Sequence, residues 1–235
     1  MRKILMTLVT SCLLNMVFAQ QEVVIKKKDR KRDVLIETNM GEMIFRLSDS
    51  TPLHRDNFIV LVKRHYYDSL LFHRVIDNFM IQSGDPSSKN ATPGKPLGDG
   101  DPGYTVPPEF RQGLFHKKGV LAAARESDDV NPSRSSSGSQ FYIVKGKVYT
   151  NSGLDSVETR RLKKKLPEAQ RNVYTTIGGS PFLDGSYTIF GEMIKGFDVL
   201  ERISKTPTSK GTDLDRPLQD VVILRAKLIR RKKYN

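Results

Sequence analysis

Cysteine is almost missing from this chain of 235 residues: the only one, Cys12, lies close to the N-terminus. A single thiol forms no intrachain disulfide, so a disulfide scaffold and a cysteine-ligated zinc site are both excluded. Long apolar runs are also missing beyond the leader. After residue 20 no segment approaches the roughly 18 apolar residues that a membrane-spanning helix needs, so the body of the chain is not expected to enter a bilayer. Histidine is sparse, and His54, His65, His73 and His116 are scattered without metal-ligand spacing. Each is expected to be structural or exposed. Asp99-Gly100-Asp101 resembles part of a calcium loop but lacks the remaining ligands, and is read as a polar turn. No metal and no cofactor are expected.

Apolar character is concentrated at the start. Arg2 and Lys3 precede an apolar run from Ile4 to Ala19 that closes on Val17-Phe18-Ala19 before Gln20 and Gln21. That order is the grammar of a secretory signal peptide cleaved after Ala19, which would leave a mature chain without any thiol. A buried N-terminal helix and a lipoprotein acylated on Cys12 are the alternatives. Residues 1–19 are therefore read as signal, 20–33 as a basic linker, and 34–235 as one folded domain with an insertion at about 145–181. The expected address is the periplasm first, with secretion or a lipid anchor behind it.

Net charge is +13, and loss of Arg2 and Lys3 leaves +11. The basic residues gather at 26–32, 160–165 and 230–233, two of these near chain ends and the third inside the insertion. Solvated charge accounts for that distribution better than a nucleic-acid footprint does. No nucleic-acid partner is expected.

Residues 34–38 and 42–47 read as strands around Asn39-Met40-Gly41, with Ile44 breaking an otherwise regular alternation. Ser50 or Thr51 as N-cap and Pro52 at the first helical position open a helix that ends near His65. Strand-like runs follow at 71–75, 79–83, 120–123, 140–144, 188–192 and 221–229, and a second helix at 197–203 follows Gly196. Many short strands without strand-helix alternation predict a mainly β fold whose sheet closes on itself, which removes exposed edges. The stretch 145–181 departs from this rhythm: Leu154, Val157, Leu162 and Leu166 sit at near-helical spacing among lysines and arginines, predicting one amphipathic helix ended by Pro167.

Several segments, taken in order, carry more. They are Thr51-Pro52 through Asn57-Phe58, Tyr66-Tyr67-Asp68, FHRVIDNFMIQSGD at 72–85, GVLAAAR at 119–125, GSQFYI at 138–143, FLDG at 182–185 and FG at 190–191. From about 34 to 229 the chain resembles the cyclophilin family of peptidyl-prolyl cis-trans isomerases, in a bacterial style. The resemblance implies a closed eight-stranded antiparallel barrel capped by two helices, a monomer acting on proline-containing polypeptides with its site on the outer face. By position it assigns catalysis to Arg74 and the proline pocket to Phe79, Met80, Tyr142 and Leu183. It places Gln82, Ala124, Arg125, Gln140, Phe141, Phe182 and Tyr187 along the peptide groove. A proline-peptide-binding chaperone on the same fold, with incidental turnover, is the alternative.

Four features depart from the best-known family pattern. Tyr142 stands for phenylalanine, adding a hydroxyl at the pocket edge; as a second departure Phe182 stands for tryptophan together with Tyr187 for histidine, and as a third Arg125 stands for asparagine. The insertion is the fourth, a candidate for substrate or partner selection or else a plain surface excursion.

Overall fold

The computed structural model describes residues 23–232, so the signal peptide, its cleavage point and Cys12 lie outside the described residues. Strand β1 (Arg32–Thr38) and β2 (Gly41–Leu47) form the first hairpin, and α1 (Pro52–Lys63) follows. Next come β3 (Arg74–Ile76), β4 (Met80–Ser83), a two-residue β5 (Thr105–Val106), β6 (Val120–Ala123), β7 (Ser136–Ser137) and β8 (Phe141–Val144). Helices α2 (Asn151–Val157) and α3 (Glu168–Thr176) occupy the insertion, and β9 (Ile189–Lys195), α4 (Phe197–Ser204) and β10 (Ile223–Arg230) complete the chain.

Eight strands form one antiparallel sheet in the order β10-β1-β2-β9-β6-β8-β4-β3. The expected closure needs a refinement, because the edge strands β3 and β10 share no continuous ladder. The seam is spanned just before both strands, where Leu71 bridges Val222, Phe72 N–H donates to Val221 O at 2.8 Å, and Ile223 N–H donates to Leu70 O at 2.8 Å. His65 and Ser69 take left-handed backbone in the preceding turn, so the chain reaches the seam as an irregular segment and β3 is short.

Inside the sheet lies an aromatic core. Phe58 of α1 packs against Tyr67 at 5.0 Å, Phe190 at 5.2 Å and the edge of Phe141 at 5.4 Å. From α4, Val199, Leu200 and Ile203 are buried against the same cluster. Burying each such side chain contributes about 1.5–3 kcal/mol. Helix α1 starts at Pro52 as expected, yet the Thr51 side chain makes no capping bond and its buried hydroxyl finds no partner among the described residues.

The basic linker is only partly a linker. Asp29 is buried and accepts from Lys26 N–H and Lys63 Nζ, both at 3.0 Å, while Arg30 pairs with Asp56 at 2.6 Å. Those contacts tie its second half to α1. The insertion also differs from expectation: it contains two short helices, and Pro167 opens the second instead of ending the first. The cause is Glu158, whose buried carboxylate accepts from Lys165 Nζ at 2.8 Å, Leu166 N–H at 3.0 Å and Arg171 at 2.7 Å, gathering a π-helical turn and the left-handed Lys163 around itself.

Candidate active site

Register builds the site. Arg74 in β3 lies opposite Gln82 in β4, Gln82 opposite Tyr142 in β8, and Tyr142 opposite Ala122 in β6. Residues directly opposed in antiparallel strands share a face, so this row points one way across four strands. Their neighbours Ile81, Ile143 and Leu121 point into the barrel core, which puts the row on the outer face.

Above the row is a cavity of about 140 Å³ lined by Arg74, Phe79, Met80, Gln82, Ala124, Arg125, Tyr142, Leu183 and Tyr187. Gln140 lines an adjoining hollow of about 300 Å³ that shares Gln82, Ala124 and Arg125 with the first. Phe182 stands at the rim, 38% exposed, with its ring 5.5 Å from that of Phe79. Phe141 is the exception among the expected groove residues. Its side chain is buried in the barrel core against Phe58, Tyr67 and Phe72, because adjacent residues of a strand face opposite ways and Tyr142 takes the outer side. A larger hollow of about 340 Å³ beside Leu47, Leu114 and Ile189 shares no residue with this site.

The polar groups are held in defined orientations. Arg74 is 45% exposed, and its Nε lies 3.8 Å from Asp215, which approaches from the loop before β10. Gln82 Nε2 donates to Gln140 Oε1 at 3.0 Å, and Gln140 Nε2 donates to the carbonyls of Gly98 at 2.6 Å and Gly100 at 2.8 Å. This relay fixes both amides. The Arg125 guanidinium donates to Ser186 O at 2.9 Å and Glu126 O at 2.8 Å, pairs with Asp128 at 2.7 Å, and lies 4.5 Å over the Tyr187 ring.

Tyr142 shows its ring, not its hydroxyl, to the cavity. The hydroxyl bonds His116 Nε2 at 2.9 Å, so the expected polar group at the pocket edge is instead tied up in the interior. Burial pushes the Tyr142 phenol well above its ordinary range. His116 Nδ1 in turn meets Asp184 at 2.9 Å, and Tyr174 of the insertion donates to the other Asp184 oxygen at 2.7 Å. Burial and then the Asp184 charge raise the Tyr174 phenol. These three partners were not among the expected site residues; the signal that pointed to them is the extra oxygen of Tyr142, which once buried demands a partner. On the core side of Arg74, His73 is buried with neither ring nitrogen bonded among the described residues, and burial pulls it down to about 4.

Residues 33–228 match the family described as cyclophilin type peptidyl-prolyl cis-trans isomerase/CLD. A Staphylococcus haemolyticus protein bearing the name peptidyl-prolyl cis-trans isomerase is 34% identical over 197 residues, covering 83% of this chain and 90% of its own. A Staphylococcus aureus protein of the same name, from strain USA300, is 35% identical over 191 residues, covering 81% and 88%. Among solved structures, a cyclophilin type peptidyl-prolyl cis-trans isomerase of Cryptosporidium parvum superposes with a TM-score of 0.61 at 24% identity, covering 86% of this chain and 99% of that one. The same protein in the presence of the dipeptide Ala-Pro gives a TM-score of 0.59 at 24% identity, covering 84% and 99%. At that identity the likeness speaks for the fold.

Proposed function

The chain belongs to the cyclophilin-type peptidyl-prolyl cis-trans isomerase family, and from this premise we propose that Arg74 is its catalytic residue, acting over a proline pocket made by Phe79, Met80, Tyr142 and Leu183. The observation that carries the proposal is the pairing of a half-exposed guanidinium with a cavity that has Phe79, Met80, Tyr142 and Leu183 in its wall.

The chemistry asks for that pairing. Amide resonance gives an X-Pro bond a rotation barrier of about 18–20 kcal/mol. At the twisted transition state the resonance is lost and the proline nitrogen becomes pyramidal and basic. A fixed cation that donates a hydrogen bond to it stabilises that state more than either ground state, which is the condition for lowering the barrier. Arg74 has the rigid fork for the task. It lines the cavity, and its Nε lies 3.8 Å from Asp215. The pyrrolidine ring packs against Phe79, Met80, Tyr142 and Leu183 in the cavity, and the oriented Gln82 amide offers hydrogen bonds to the neighbouring peptide backbone. An acceleration of about a hundred-thousandfold would need roughly 7 kcal/mol from these effects together. The bond only rotates, so no covalent intermediate is required.

The substrates are proline-containing segments of exported polypeptides. The charge-apolar-small order of residues 1–19 supports that address.

Arg74→Ala tests the assignment in a protease-coupled isomerisation assay. It should melt as the wild type does yet lose about a hundred- to a thousandfold in kcat, the usual effect of deleting one preorganised donor. Arg74→Lys should recover part of the loss. Near-normal turnover in Arg74→Ala would remove Arg74 from the mechanism.

A further inference from the structure

The wall that Tyr142 gives to the pocket is held from behind by a hydrogen-bonded chain that ends in the insertion. A buried phenol without an acceptor keeps the full cost of its desolvation. Tyr142 finds its acceptor in His116 Nε2, 2.9 Å away. For Nε2 to accept from the hydroxyl, the neutral ring must carry its proton on Nδ1. Asp184 imposes that tautomer: one carboxylate oxygen accepts from His116 Nδ1–H at 2.9 Å and from the His116 backbone N–H at 2.8 Å. Its other oxygen accepts from the Tyr174 hydroxyl at 2.7 Å. His116 and Tyr174 are wholly buried, so water does not substitute for any missing link.

The backbone closes around the same point. Ser180 N–H donates to His116 O at 2.8 Å, and Gly179 bridges both Lys117 and Lys147. A Cβ at Gly179 would lie 2.2 Å from the His116 carbonyl oxygen, so the end of the insertion reaches His116 only as glycine. The insertion is thus fastened to the rear of the pocket wall, and Asp184 directly follows the pocket residue Leu183 in the chain.

We infer that Tyr174, Asp184 and His116 are positioning residues for the isomerase: through Tyr174 the insertion holds Asp184 and His116 in the arrangement that receives the Tyr142 hydroxyl, and so sets the wall of the proline pocket. The inference rests on the cavity beside Arg74 being the proline pocket. It gives the insertion a place in catalysis without contact to substrate.

Tyr174→Phe removes one oxygen and keeps the ring, which packs edge-on against Phe115 at 5.5 Å. It should raise KM for a short X-Pro peptide about fivefold, the part of one charge-assisted hydrogen bond that reaches the pocket wall at one remove, with kcat within about twofold. Asp184→Asn should act more strongly, because its amide oxygen must stay on the His116 backbone N–H and Nδ1–H without the charge, and its NH2 then faces the Tyr174 hydroxyl where an acceptor stood. Its signature is an upfield move of the His116 Nδ1–H proton in ¹H–¹⁵N spectra, as a charge-assisted bond becomes a neutral one. The deciding measurement repeats both substitutions in a Tyr142→Phe background, where no hydroxyl awaits a partner. There each should change KM by less than about twofold, since coupled neighbours are not additive. Equal losses in both backgrounds, or wild-type kinetics for Tyr174→Phe, would overturn the inference. Arg74→Ala run alongside separates the two levels: if it turns over normally the pocket assignment fails, whereas the His116 Nδ1–H shift reports on the chain without reference to turnover.

Discussion

The barrel and the insertion are stabilised in opposite ways. The barrel buries Ile36, Phe45, Phe72, Ile81 and Ile143 completely or nearly so, beneath an eight-strand ladder. The insertion has a cluster of three buried side chains, Leu154, Leu166 and Tyr174, and borrows Phe115 from outside itself. So small a cluster cannot offset the ordering of its own chain by apolar burial. It adds a buried carboxylate with three donors at Glu158 and the shared network at Asp184. The barrel is self-sufficient, while the insertion depends on the surface it leans upon.

The largest expected effect separates them by depth. Phe45→Ala leaves a void in the wholly buried centre of the barrel and should cost about 3–5 kcal/mol. In a urea titration followed by methyl NMR, the barrel signal of Ile36 and the insertion signal of Leu154 should shift their midpoints together, because the insertion cannot outlast its support. An insertion signal that keeps its wild-type midpoint while the barrel signal moves would break the comparison.

Acid sharpens it next. In the barrel, burial pulls His73 down to about 4, with Asp85 opposing and Arg74 assisting. A folded pKa below the ordinary 6.5 means that the unfolded chain binds the proton first. Above about pH 6.5 this costs nothing; below it, stability falls until the folded state also protonates near pH 4, a total of roughly 3 kcal/mol. His54, also lowered by burial, adds to the same slope. His73→Gln should show a shallower decline in urea midpoint between pH 6.5 and 4. An unchanged slope would mean that His73 is already partnered in solution.

The barrel was largely legible because it depends on local patterns, whereas the site residues were named by the resemblance of 72–85, 119–125, 138–143 and 182–185 to the cyclophilin family. Alternation located the strands, and the hairpin of 72–85 places Arg74 and Gln82 opposite one another by register alone. The same period of two also excludes Phe141 from the groove once Tyr142 faces it, since neighbours in a strand cannot share a side. The insertion was less legible for the converse reason. Leu154, Leu162 and Leu166 fit one helical period, and that period does not reveal a turn organised by the buried charge of Glu158 or a left-handed Lys163. Asp215 beside Arg74 and Asp184 beside His116 are long-range contacts that only the folded chain creates.

The smallest expected effect is confined to the insertion. Burial alone would raise the Glu158 carboxyl, but the bonds from Lys165, Leu166 N–H and Arg171 prevail and hold it at about 2. A folded pKa below the ordinary 4.5 contributes stability that is fully present above about pH 4.5 and is lost as pH falls toward 2. This window lies below that of His73, so the two regions should respond to acid in sequence. The effect is the weaker one because Lys165 is 77% exposed and its share is screened by water. Methyl NMR spectra can follow Leu154 and Leu166 beside the barrel probes Ile36 and Leu121 during an acid titration. In the wild type the insertion methyls should hold their shifts to about pH 4.5 and lose them below it. Glu158→Gln keeps an acceptor for Leu166 N–H but not the charge that draws Arg171, so its insertion methyls should be partly shifted already at pH 7 and show no step below pH 4.5. Sodium chloride should reproduce part of that shift in the wild type by screening the pairs. If barrel and insertion methyls instead move together in both proteins, Glu158 is holding no separate unit, and the contrast between the two regions fails.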